Sequence, residues 1–562
     1  MKKPCKQCSV QFEITQDDLA FYDKVSPVFN GVKYQIPEPS LCPDCRQQRR
    51  LTFRNERKLY KRQCDGTGNN MVSVFPEESS FTVYNPSYWH SDKWNPLTFG
   101  LEVDFQKSFL DQFQVLWMIV PQIGRSVEGN ENCDFVNQAG WNKNCYLIFE
   151  SSENELVFYS EHVNKSISSF DCSYSNTCEL CYECFDCLDC YHSCFLQSCQ
   201  NCSDSWFLKN CIGCKNCFGS VNLRNKEYYF LNQQLSKEEY LKKVESLQLD
   251  SEKKIQQWKK EFCDFSKKFP EKYVHGFQNE SSTGDYLKYT QNCYDCYNLW
   301  NSQDCRFCSD AGVLRDCYDV TVFGIVRGAV FSYDNHEIGD GCQEILFSDK
   351  ILTSSNVMYC HSIWNSEHLF GCIGLKHKKY CILNKQYTKE EYEELVPKII
   401  QHMKATGEWG EFFPVELSPF AYNETVANEY FPLTKEEVES RAWNWKEEID
   451  EIPNVTKKIP AERLPDAITE IPDDILNWAI ICERSKRPFK IIPQELKFYR
   501  EQNLPIPHLH PDERHKNRMA LRNPRKLWTR NCDKCAKEIK TTYSPERPET
   551  VYCEECYLGE VY

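Results

Sequence analysis

Long apolar runs are missing from this chain of 562 residues. No stretch approaches the eighteen or so apolar residues that a membrane-spanning helix needs, and VLWMIVP at 115–121 predicts a buried strand or helical turn. The first lysines are not followed by an apolar core, so a secretory signal pattern is also absent. We therefore expect a cytoplasmic protein with no membrane partner, in which 34 cysteines stay reduced or bind metal.

Residue patterns typical of catalysis are missing too. There is no glycine-rich phosphate loop, and the 12 histidines are scattered along the chain. His90, Ser91 and Asp92 are sequence neighbours, whereas the members of a catalytic triad converge from separate parts of a fold. Thiol-redox chemistry needs one low-pKa CxxC pair, and nothing singles one out. The sequence therefore predicts a protein that is not an enzyme.

The two ends of the chain are copies of one module. With Pro43 aligned to Pro511, PDCRQQRRLTFRNERKLYKRQCDG matches PDERHKNRMALRNPRKLWTRNCDK without a gap, at 12 of 24 positions. Each copy has places for two metal sites and has lost a different one. The first copy keeps the set Cys5, Cys8, Cys42 and Cys45. The second copy keeps the other set, Cys532, Cys535, Cys553 and Cys556.

Each intact set predicts one structural zinc ion, hence two per chain. Tetrahedral zinc takes four Cys or His ligands, and a two-residue gap lets one tight turn present two thiolates to the same ion. Four thiolates leave no position open for water, so neither site is expected to be catalytic. The degenerate set of the second copy, Cys482 with His510 and Glu513, leaves two alternatives open: a weak metal site or a packed remnant.

The first copy resembles a known domain. CKQCSVQFEITQDDLAFY at 5–22 and LCPDCRQQRR at 41–50 are similar to a small zinc-ribbon domain of treble-clef type found in many bacterial proteins. That domain pairs CxxC-x3-F, a helix ending in FY, and CxxCR-x2-R. The whole chain also resembles a group of bacterial proteins with zinc-ribbon ends and a Cys-rich middle. The resemblance implies zinc binding and no particular activity.

Positive charge is concentrated in the two copies. The net charge is -15, yet residues 40–64 carry a local +6 and residues 508–530 a local +5, so the remainder sums to -26. After the second knuckle we expect a helix, on which four arginines of each copy would form one stripe. The expected nucleic-acid-binding residues are Arg46, Arg50, Arg54, Arg57 and Lys58 with Arg514, Arg518, Arg522, Arg525 and Lys526.

This arginine stripe has two interpretations. At helical pitch it can bridge successive phosphates, which predicts a nucleic acid or ribonucleoprotein partner. Alternatively, the same arginines dock on the acidic middle of the chain, and the protein is a protein–protein scaffold that uses the middle as its platform.

The middle of the chain predicts a β-solenoid. Of the 34 cysteines, 24 lie between Cys133 and Cys381, and intervals of twelve residues recur among them. A short fixed period indicates stacked coils, and the frequent Asn or Asp before Cys fits a polar corner followed by an inward thiol. Iron–sulfur spacing at Cys184, Cys187, Cys190 and Cys194, or extra zinc in the ladder, are the alternatives to a metal-free thiol core.

The solenoid is itself duplicated, which completes the predicted architecture. CFGSVNLRNKEYYFLNQQLSKEEY at 217–240 matches CIGLKHKKYCILNKQYTKEEY at 372–392 if SVN is an insertion, and each copy ends in a helix-capping box. The predicted fold is multidomain and mainly β, with zinc-ribbon modules flanking two β-solenoids that are each followed by a helix. The predicted domains are residues 1–125, 126–235, 236–270, 271–385, 386–475 and 476–562.

Overall fold

The computed structural model describes residues 1–323, 326–447, 455 and 457–562. The protein is mainly β: two solenoids of parallel coils occupy the middle, and a module with four clustered cysteines lies at each end. The predicted fold class is confirmed. In the part of the chain that the structure describes, no helix is long and apolar enough to cross a bilayer.

Twelve helices occur in the described residues. They are α1 Gln16–Val25, α2 Pro43–Leu51, α3 Pro86–His90, α4 Phe109–Ile119, α5 Lys237–Glu245, α6 Glu252–Ser266, α7 Lys389–Thr406, α8 Val426–Tyr430, α9 Lys435–Ser440, α10 Pro493–Glu501, α11 Pro511–Met519 and α12 Glu554–Val561.

The strands fall into four groups along the chain. The N-terminal module holds β1 Lys2–Pro4, β2 Gln11–Glu13, β3 Val28–Phe29, β4 Val32–Lys33, β5 Tyr60–Gln63, β6 Asn70–Ser73, β7 Val83–Tyr84 and β8 Gln122–Ile123. Solenoid 1 holds β9 Val127–Glu128, β10 Asn137–Gly140, β11 Tyr146–Ser152, β12 Phe158–Glu161, β13 Trp206–Lys209, β14 Phe218–Val221, β15 Tyr229–Phe230 and β16 Gln233–Gln234.

Solenoid 2 follows the connecting strand β17 Glu271–Lys272. It holds β18 Gly276–Phe277, β19 Gly284–Lys288, β20 Cys296–Trp300, β21 Ser309–Gly312, β22 Leu314–Phe323, β23 Ala329–Gly339, β24 Cys342–Leu346, β25 Asp349–Leu352, β26 Ser355–Met358, β27 His361–Trp364, β28 Glu367–Phe370, β29 Lys379–Ile382 and β30 Lys385–Gln386. The C-terminal part holds β31 Lys457–Pro460, β32 Trp478–Ile481, β33 Pro488–Phe489, β34 Trp528–Asn531, β35 Glu538–Thr541 and β36 Val551–Tyr552.

Each regular coil is a square with four sides of three residues. Parallel bridges join residues twelve apart, as from Phe158 to Phe170 to Tyr182. A residue with positive φ recurs at every third position, so twelve residues make four corners. Asn and Asp tolerate this left-handed conformation best among non-glycine residues. At Asn144-Cys145 the polar residue is the corner and the thiol is buried inside, as the sequence predicted.

The inward thiols form a packed interior and not a cluster site. The cysteines of the solenoids lie almost entirely within two buried groups with Val, Ile and Leu side chains. Cys184, Cys187 and Cys190 lie on successive sides of the square, three residues apart. Cys194 breaks this phase and lies instead in an outer row of aromatic side chains. Because the four sulfurs do not converge, the structure does not support the iron–sulfur alternative.

Solenoid 2 widens near its middle. Strand β22 pairs with β23 in a fifteen-residue step, from Cys317 to Ser332, and β23 pairs with β24 in a thirteen-residue step, from Tyr333 to Leu346. The step then returns to twelve, from Leu346 to Met358. The wider coils explain why the cysteine spacing of this solenoid is less regular than that of solenoid 1.

The ends of the two solenoids correspond without an insertion. Asn232 accepts a hydrogen bond from the Val221 amide through its side chain, and Asn384 accepts the equivalent bond from Ile373, both at 2.8 Å. The equivalent residues are therefore 152 apart, and CFG at 217–219 pairs with LFG at 369–371. The expected insertion of SVN was wrong, because CIG at 372–374 continues the coil three residues further on.

Helices follow both solenoids as predicted, but they differ in form. The capping boxes at Ser236 and at Thr388 are present, and each opens a helix. The second solenoid is followed by the single helix α7, whereas the first is followed by α5 and α6, separated by residues 246–251. The single helix predicted after solenoid 1 is thus two helices, and α6 lies along the side of the solenoid, where Trp258 packs edge-on to Phe218 at 4.9 Å between ring centroids.

Each terminal module packs on the solenoid that is not next to it in sequence. The N-terminal module packs on solenoid 2, where Phe21 of α1 stacks on Tyr318 at 3.7 Å between ring centroids. The C-terminal module packs on solenoid 1, where Phe498 of α10 stacks on Phe170 at 4.0 Å. The two contacts are equivalent in the duplicated halves. Each module is therefore held by the solenoid that is more distant from it in sequence.

Candidate metal centres and binding cleft

The N-terminal four-cysteine set converges on one point. Cys5 and Cys8 lie in the turn between β1 and β2, Cys42 caps α2, and Cys45 lies in the first turn of that helix. The four Sγ atoms all lie within 4.8 Å of one another, and those of Cys8 and Cys42 are 3.7 Å apart. The hydrogen bond between Cys42 and Cys45 lowers the pKa of the Cys42 thiol to about 5.

The C-terminal set has the same geometry in another place of the module. Cys532 and Cys535 lie between β34 and β35, and Cys553 caps α12, which carries Cys556 in its first turn. The Sγ atoms of Cys535 and Cys553 are 3.7 Å apart, and the Cys553 amide donates a 3.2 Å hydrogen bond to the Cys532 sulfur.

Both sets fit zinc. Four sulfurs held about 2.3 Å from a tetrahedral zinc ion are about 3.8 Å from one another. The sulfur separations of 3.7 Å agree with that value in both modules. Two metal-binding centres of four cysteines each are thus present, as the spacing predicted, and a four-thiolate set closes the coordination sphere of zinc.

The lost sites keep their fold without their ligands. At the remnant in the first copy, the Asn85 amide still donates a 3.2 Å bond to the Cys64 sulfur, as Cys553 does to Cys532. At the remnant in the second copy, Glu513 is paired with Lys516 at 2.8 Å, and Cys482 is buried. Cys482, His510 and Glu513 are not among the converging ligand groups of the described residues, which agrees with the packed-remnant alternative.

Metal content provides a direct prediction. Purified protein is expected to carry about two zinc ions per chain, because two four-cysteine sets each close a tetrahedral shell and the solenoid thiols form no other such set in the described residues. Elemental analysis of the wild type measures this number, and Cys305→Ala, a buried ladder cysteine, is the matched control that should leave it unchanged. Five or more metal ions per chain would contradict the metal-free interior.

The arginines of helix α2 in the N-terminal module form buried ion pairs with solenoid 2. Arg46 Nη2 lies 2.8 Å from Asp319, and Arg50 Nη1 lies 2.7 Å from Asp334, with all four side chains at most 2 % exposed. Arg49, which the predicted stripe did not include, also pairs with Asp334, at 2.7 Å. The acidic solenoid is therefore the counter-ion of this helix.

The C-terminal module repeats the arrangement on solenoid 1. Arg514 and Arg518 of α11 both pair with Asp171, the latter at 2.7 Å. The Arg518 guanidinium also donates to the Ser173 hydroxyl at 3.1 Å, as that of Arg50 donates to Thr321. Asp171 and Asp319 are thus equivalent carboxylates, one in each half.

The last arginines of each copy cross to the other solenoid. Arg57 pairs with Glu161 of solenoid 1 at 3.0 Å. Arg522 lies between the rings of Tyr174 in solenoid 1 and Tyr286 in solenoid 2, 3.9 and 4.6 Å from their centroids. Arg525 pairs with Asp310 of solenoid 2. These side chains join the two solenoids to one another.

The expectation of an exposed phosphate-binding stripe was wrong for these arginines. Helix α2 ends at Leu51 and α11 at Met519, so only Arg46 and Arg50, with Arg514 and Arg518, lie at helical pitch. Arg54 is buried between Glu337 at 3.1 Å and the carboxylates of Glu56 and Glu150. Of the two lysines, Lys58 is 3.9 Å from Asp512, and Lys526 is exposed beside the Trp528 ring.

Sequence reasoning missed the carboxylates that receive the arginines. The residues are Asp171, Asp319, Asp334, Glu337, Glu161 and Asp310. All six have positive φ or directly precede such a corner residue. The three-residue spacing of the cysteines identifies the corners of the coil, as in the series Cys178, Cys181, Cys184, Cys187 and Cys190. It does not identify the corners that face a module.

Buried ionisable groups also occur away from the metal centres. The two nitrogens of His515 face Glu161 at 3.3 Å and Glu429 at 3.1 Å. Burial lowers the pKa of His515 to about 3 and raises the pKa of Glu161 to about 7, so burial disfavours the charged form of both groups. The cluster lies where both modules meet solenoid 1 and serves their contact.

A hydroxyl, an imidazole and a carboxylate line up in solenoid 2. The Ser362 hydroxyl is 3.0 Å from His361 Nε2, and His361 Nδ1 is 2.6 Å from Asp349. Trp117 of α4 stacks on the His361 ring at 4.3 Å between centroids, and Ser362 is 2 % exposed. This burial leaves no approach for a substrate to the serine.

A cleft of about 600 Å³ lies beside solenoid 1. Its floor is formed by Tyr182, Phe195 and Phe207, one wall by α6, and the other wall by the C-terminal module. The second wall includes Leu521, which is 45 % exposed. Charged pairs surround the aromatic floor: Glu183 with Lys259 at 2.7 Å, Lys209 with Glu271, and Arg547 with Glu549. The cleft was not predicted from the sequence.

Comparisons with known proteins do not place the chain in a family. It matches no family model and none of the curated proteins. Among solved structures it is similar to the crystal structure of a presumptive acetyltransferase from Desulfovibrio desulfuricans G20, at 8% identity and a TM-score of 0.10, over 51% of this chain and 82% of that one. Agreement at that level supports no conclusion about fold or function.

Proposed function

We propose that the protein is a non-catalytic binding protein with two structural zinc modules, and that its binding site is the cleft beside solenoid 1. The observation that carries the proposal is the cavity of about 600 Å³ that lies between α6 and the C-terminal module, beside the aromatic rings of solenoid 1. Concave clefts of roughly 300–1,000 Å³ that combine apolar and polar side chains are the usual form of a ligand site.

The zinc modules supply the frame of this site. Each module brings a helix whose arginines pair with buried solenoid carboxylates, and the C-terminal one also forms a wall of the cleft. Four-thiolate zinc has no open coordination position, which supports a structural role for both ions and binding rather than catalysis as the activity.

Binding of nucleic acid or a ribonucleoprotein through the arginine stripe is not part of this proposal. Phosphate contact by Arg46, Arg50, Arg514 or Arg518 would remove each from a buried ion pair and leave a carboxylate uncompensated, at a cost of about 3–5 kcal/mol. A general protein scaffold has no observation specific to it, whereas the cleft defines one location for a ligand.

A fluorescent apolar dye tests the proposal. Anilinonaphthalene sulfonate is expected to bind the zinc-loaded, full-length protein with an increase in fluorescence, because the aromatic floor excludes water around it. Leu521→Arg should weaken this binding about tenfold, the equivalent of about 1.4 kcal/mol, by placing a charge in the wall.

Leu241→Arg is the matched control for that variant, since Leu241 is 49 % exposed on α5 and does not line the cleft. Cys263, an exposed cysteine in the cleft wall, provides a second readout: dye binding should slow its reaction with a thiol reagent. Equal dye binding by the wild type and Leu521→Arg, together with an unchanged rate at Cys263, would place the binding elsewhere and overturn the proposal.

A further inference from the structure

The duplicated halves allow a comparison of the surface beside each module. Asp171 with Arg514 and Arg518 in one half corresponds to Asp319 with Arg46 and Arg50 in the other. Moving along both solenoids from these carboxylates by one coil at a time gives equivalent positions. The pairs are Glu183 and Asp334, Phe195 and Phe347, and Phe207 and Tyr359.

In the half of solenoid 2, a short segment of the chain covers these positions. The segment Trp409-Gly410-Glu411-Phe412-Phe413 follows α7. Its first residue packs against both Phe347 and Tyr359, each at 6.0 Å between ring centroids. The Phe412 amide donates a 3.0 Å hydrogen bond to Asp334.

The same segment also binds the N-terminal module. The Glu411 carboxylate lies 2.7 Å from Arg49 Nη1. Phe412 and Phe413 contact the Phe53 ring at 5.1 and 5.9 Å, and Phe413 stacks on Phe113 of α4 at 4.8 Å. Its aromatic side chains are at most 5 % exposed, so the segment fills the space between module, solenoid and α4.

Every equivalent of these contact positions lines the cleft in the other half. Arg49 and Phe53 of the N-terminal module correspond to Asn517 and Leu521 of the C-terminal module, and both line the cleft. So do the solenoid equivalents Glu183, Phe195 and Phe207. In place of α4, the helix α6 forms the remaining wall, with Phe262 lying 5.9 Å from Phe207 between ring centroids. Within the described ranges, no chain segment fills this space.

We propose that the cleft binds an extended segment of a partner protein in which aromatic side chains flank an acidic one, in the manner of Trp409–Phe413. The inference rests on the proposed function, because it names the ligand class of that same cleft. The chain itself shows how such a segment sits between a solenoid and its module.

The cleft has a group for each part of such a ligand. Phe195 and Phe207 stack on each other at 4.6 Å and occupy the positions from which Phe347 and Tyr359 contact Trp409. The Lys259 ammonium lies 4.9 Å from the centre of the Phe195 ring, at the edge that a ligand would meet. Glu183 takes the place of Asp334 as the acceptor for a backbone amide. Asn517 replaces Arg49, but the Arg484 guanidinium donates to Asn517 at 2.8 Å and supplies the cation for the acidic residue.

The test uses a fluorescein-labelled peptide with the sequence of residues 408–415, EWGEFFPV, and the zinc-loaded full chain. Saturable binding by fluorescence anisotropy is expected, with Leu521→Asp weakening it about tenfold or more and Leu241→Asp leaving it unchanged. Replacing the glutamate at position 411 of the peptide by lysine should also weaken binding, because the peptide would then face Arg484 with a like charge.

Protection of Cys263 keeps the test independent of how well the variants fold. Saturating peptide should slow the reaction of Cys263 with a thiol reagent in the wild type, because this thiol lines the cleft. If the dye occupies the cleft but the peptide neither binds nor protects Cys263, the ligand class is wrong and the proposed function stands. Peptide binding that Leu521→Asp does not weaken, without protection of Cys263, would indicate exchange with Trp409–Phe413 and also overturn the inference. Failure of both ligands overturns both proposals.

Discussion

Replacing Arg50 by methionine is expected to lower the free energy of unfolding by about 3–5 kcal/mol, the usual cost of leaving a buried charge without its partner. Arg50 Nη1 lies 2.7 Å from Asp334 and 3.2 Å from Asp319, and all three side chains are fully buried. Methionine keeps much of the volume but leaves both carboxylates with less compensation. Urea denaturation followed by tryptophan fluorescence measures the loss.

Two further variants make this result specific. Arg518→Met removes the equivalent pairing with Asp171 in the other half and should cost a similar amount. Lys526→Met removes an exposed cation of the same predicted set and should change stability by no more than about 0.5 kcal/mol. A phosphate-binding stripe predicts the opposite pattern, in which Arg50→Met is as stable as the wild type and only loses affinity for nucleic acid.

The metal ligands could be predicted from the sequence because their geometry is local. A CxxC turn fixes the position of two sulfurs within four residues, whatever the rest of the chain does. The helix after the second knuckle follows from the same logic, since Cys42 and Cys553 are N-caps. The twelve-residue period of the solenoids is local as well, because each coil stacks on the one before it.

The arginine stripe shows where local reasoning stops. Periodicity predicted one helix from Arg46 to Arg57, but the Asn55 side chain bonds to the Lys58 amide and carbonyl and turns the chain. In the second copy Pro524 has a corresponding effect by another means, because a proline disfavours the helical conformation of the residue before it. The solenoid partners of the arginines are distant in sequence: Glu161 is 104 residues from Arg57, and Asp319 is 273 residues from Arg46. Pattern alone could not choose between phosphate and the solenoid.

The cleft had no sequence signal for a different reason. It exists because the half around solenoid 1 has α6 where the other half has α4, and has no equivalent of Trp409–Phe413 in the described residues. The aromatic residues that form its floor belong to the same buried outer row as Phe158, Phe170, Phe218 and Phe230, so their composition does not distinguish a coil beside the cleft from a covered one. Only a comparison of the two halves of the folded protein shows which coils lie beside a cleft.

Cys553→Ser and Cys42→Ser are each expected to remove one zinc ion per chain, with different structural consequences. Structural zinc sites of this kind contribute roughly 10–16 kcal/mol to folding, as much as or more than the whole stability of a typical domain. Each module should therefore lose its fold locally when its ion is lost. Elemental analysis counts the remaining ion, and limited proteolysis shows which module has become susceptible.

The two variants should differ in how well the cleft binds its ligands. Tyr543, Arg547 and Glu549 of the wall lie between β35 and β36, close to the C-terminal metal centre, so Cys553→Ser should abolish dye and peptide binding. The N-terminal centre lies beside solenoid 2, and Cys42→Ser should expose α2 to protease while retaining most binding in the cleft. Loss of binding in both variants to the same extent would mean that the modules do not support the two halves separately. The crossed arginines, Arg57 on solenoid 1 and Arg525 on solenoid 2, would then be the contacts that transmit the effect of losing either ion.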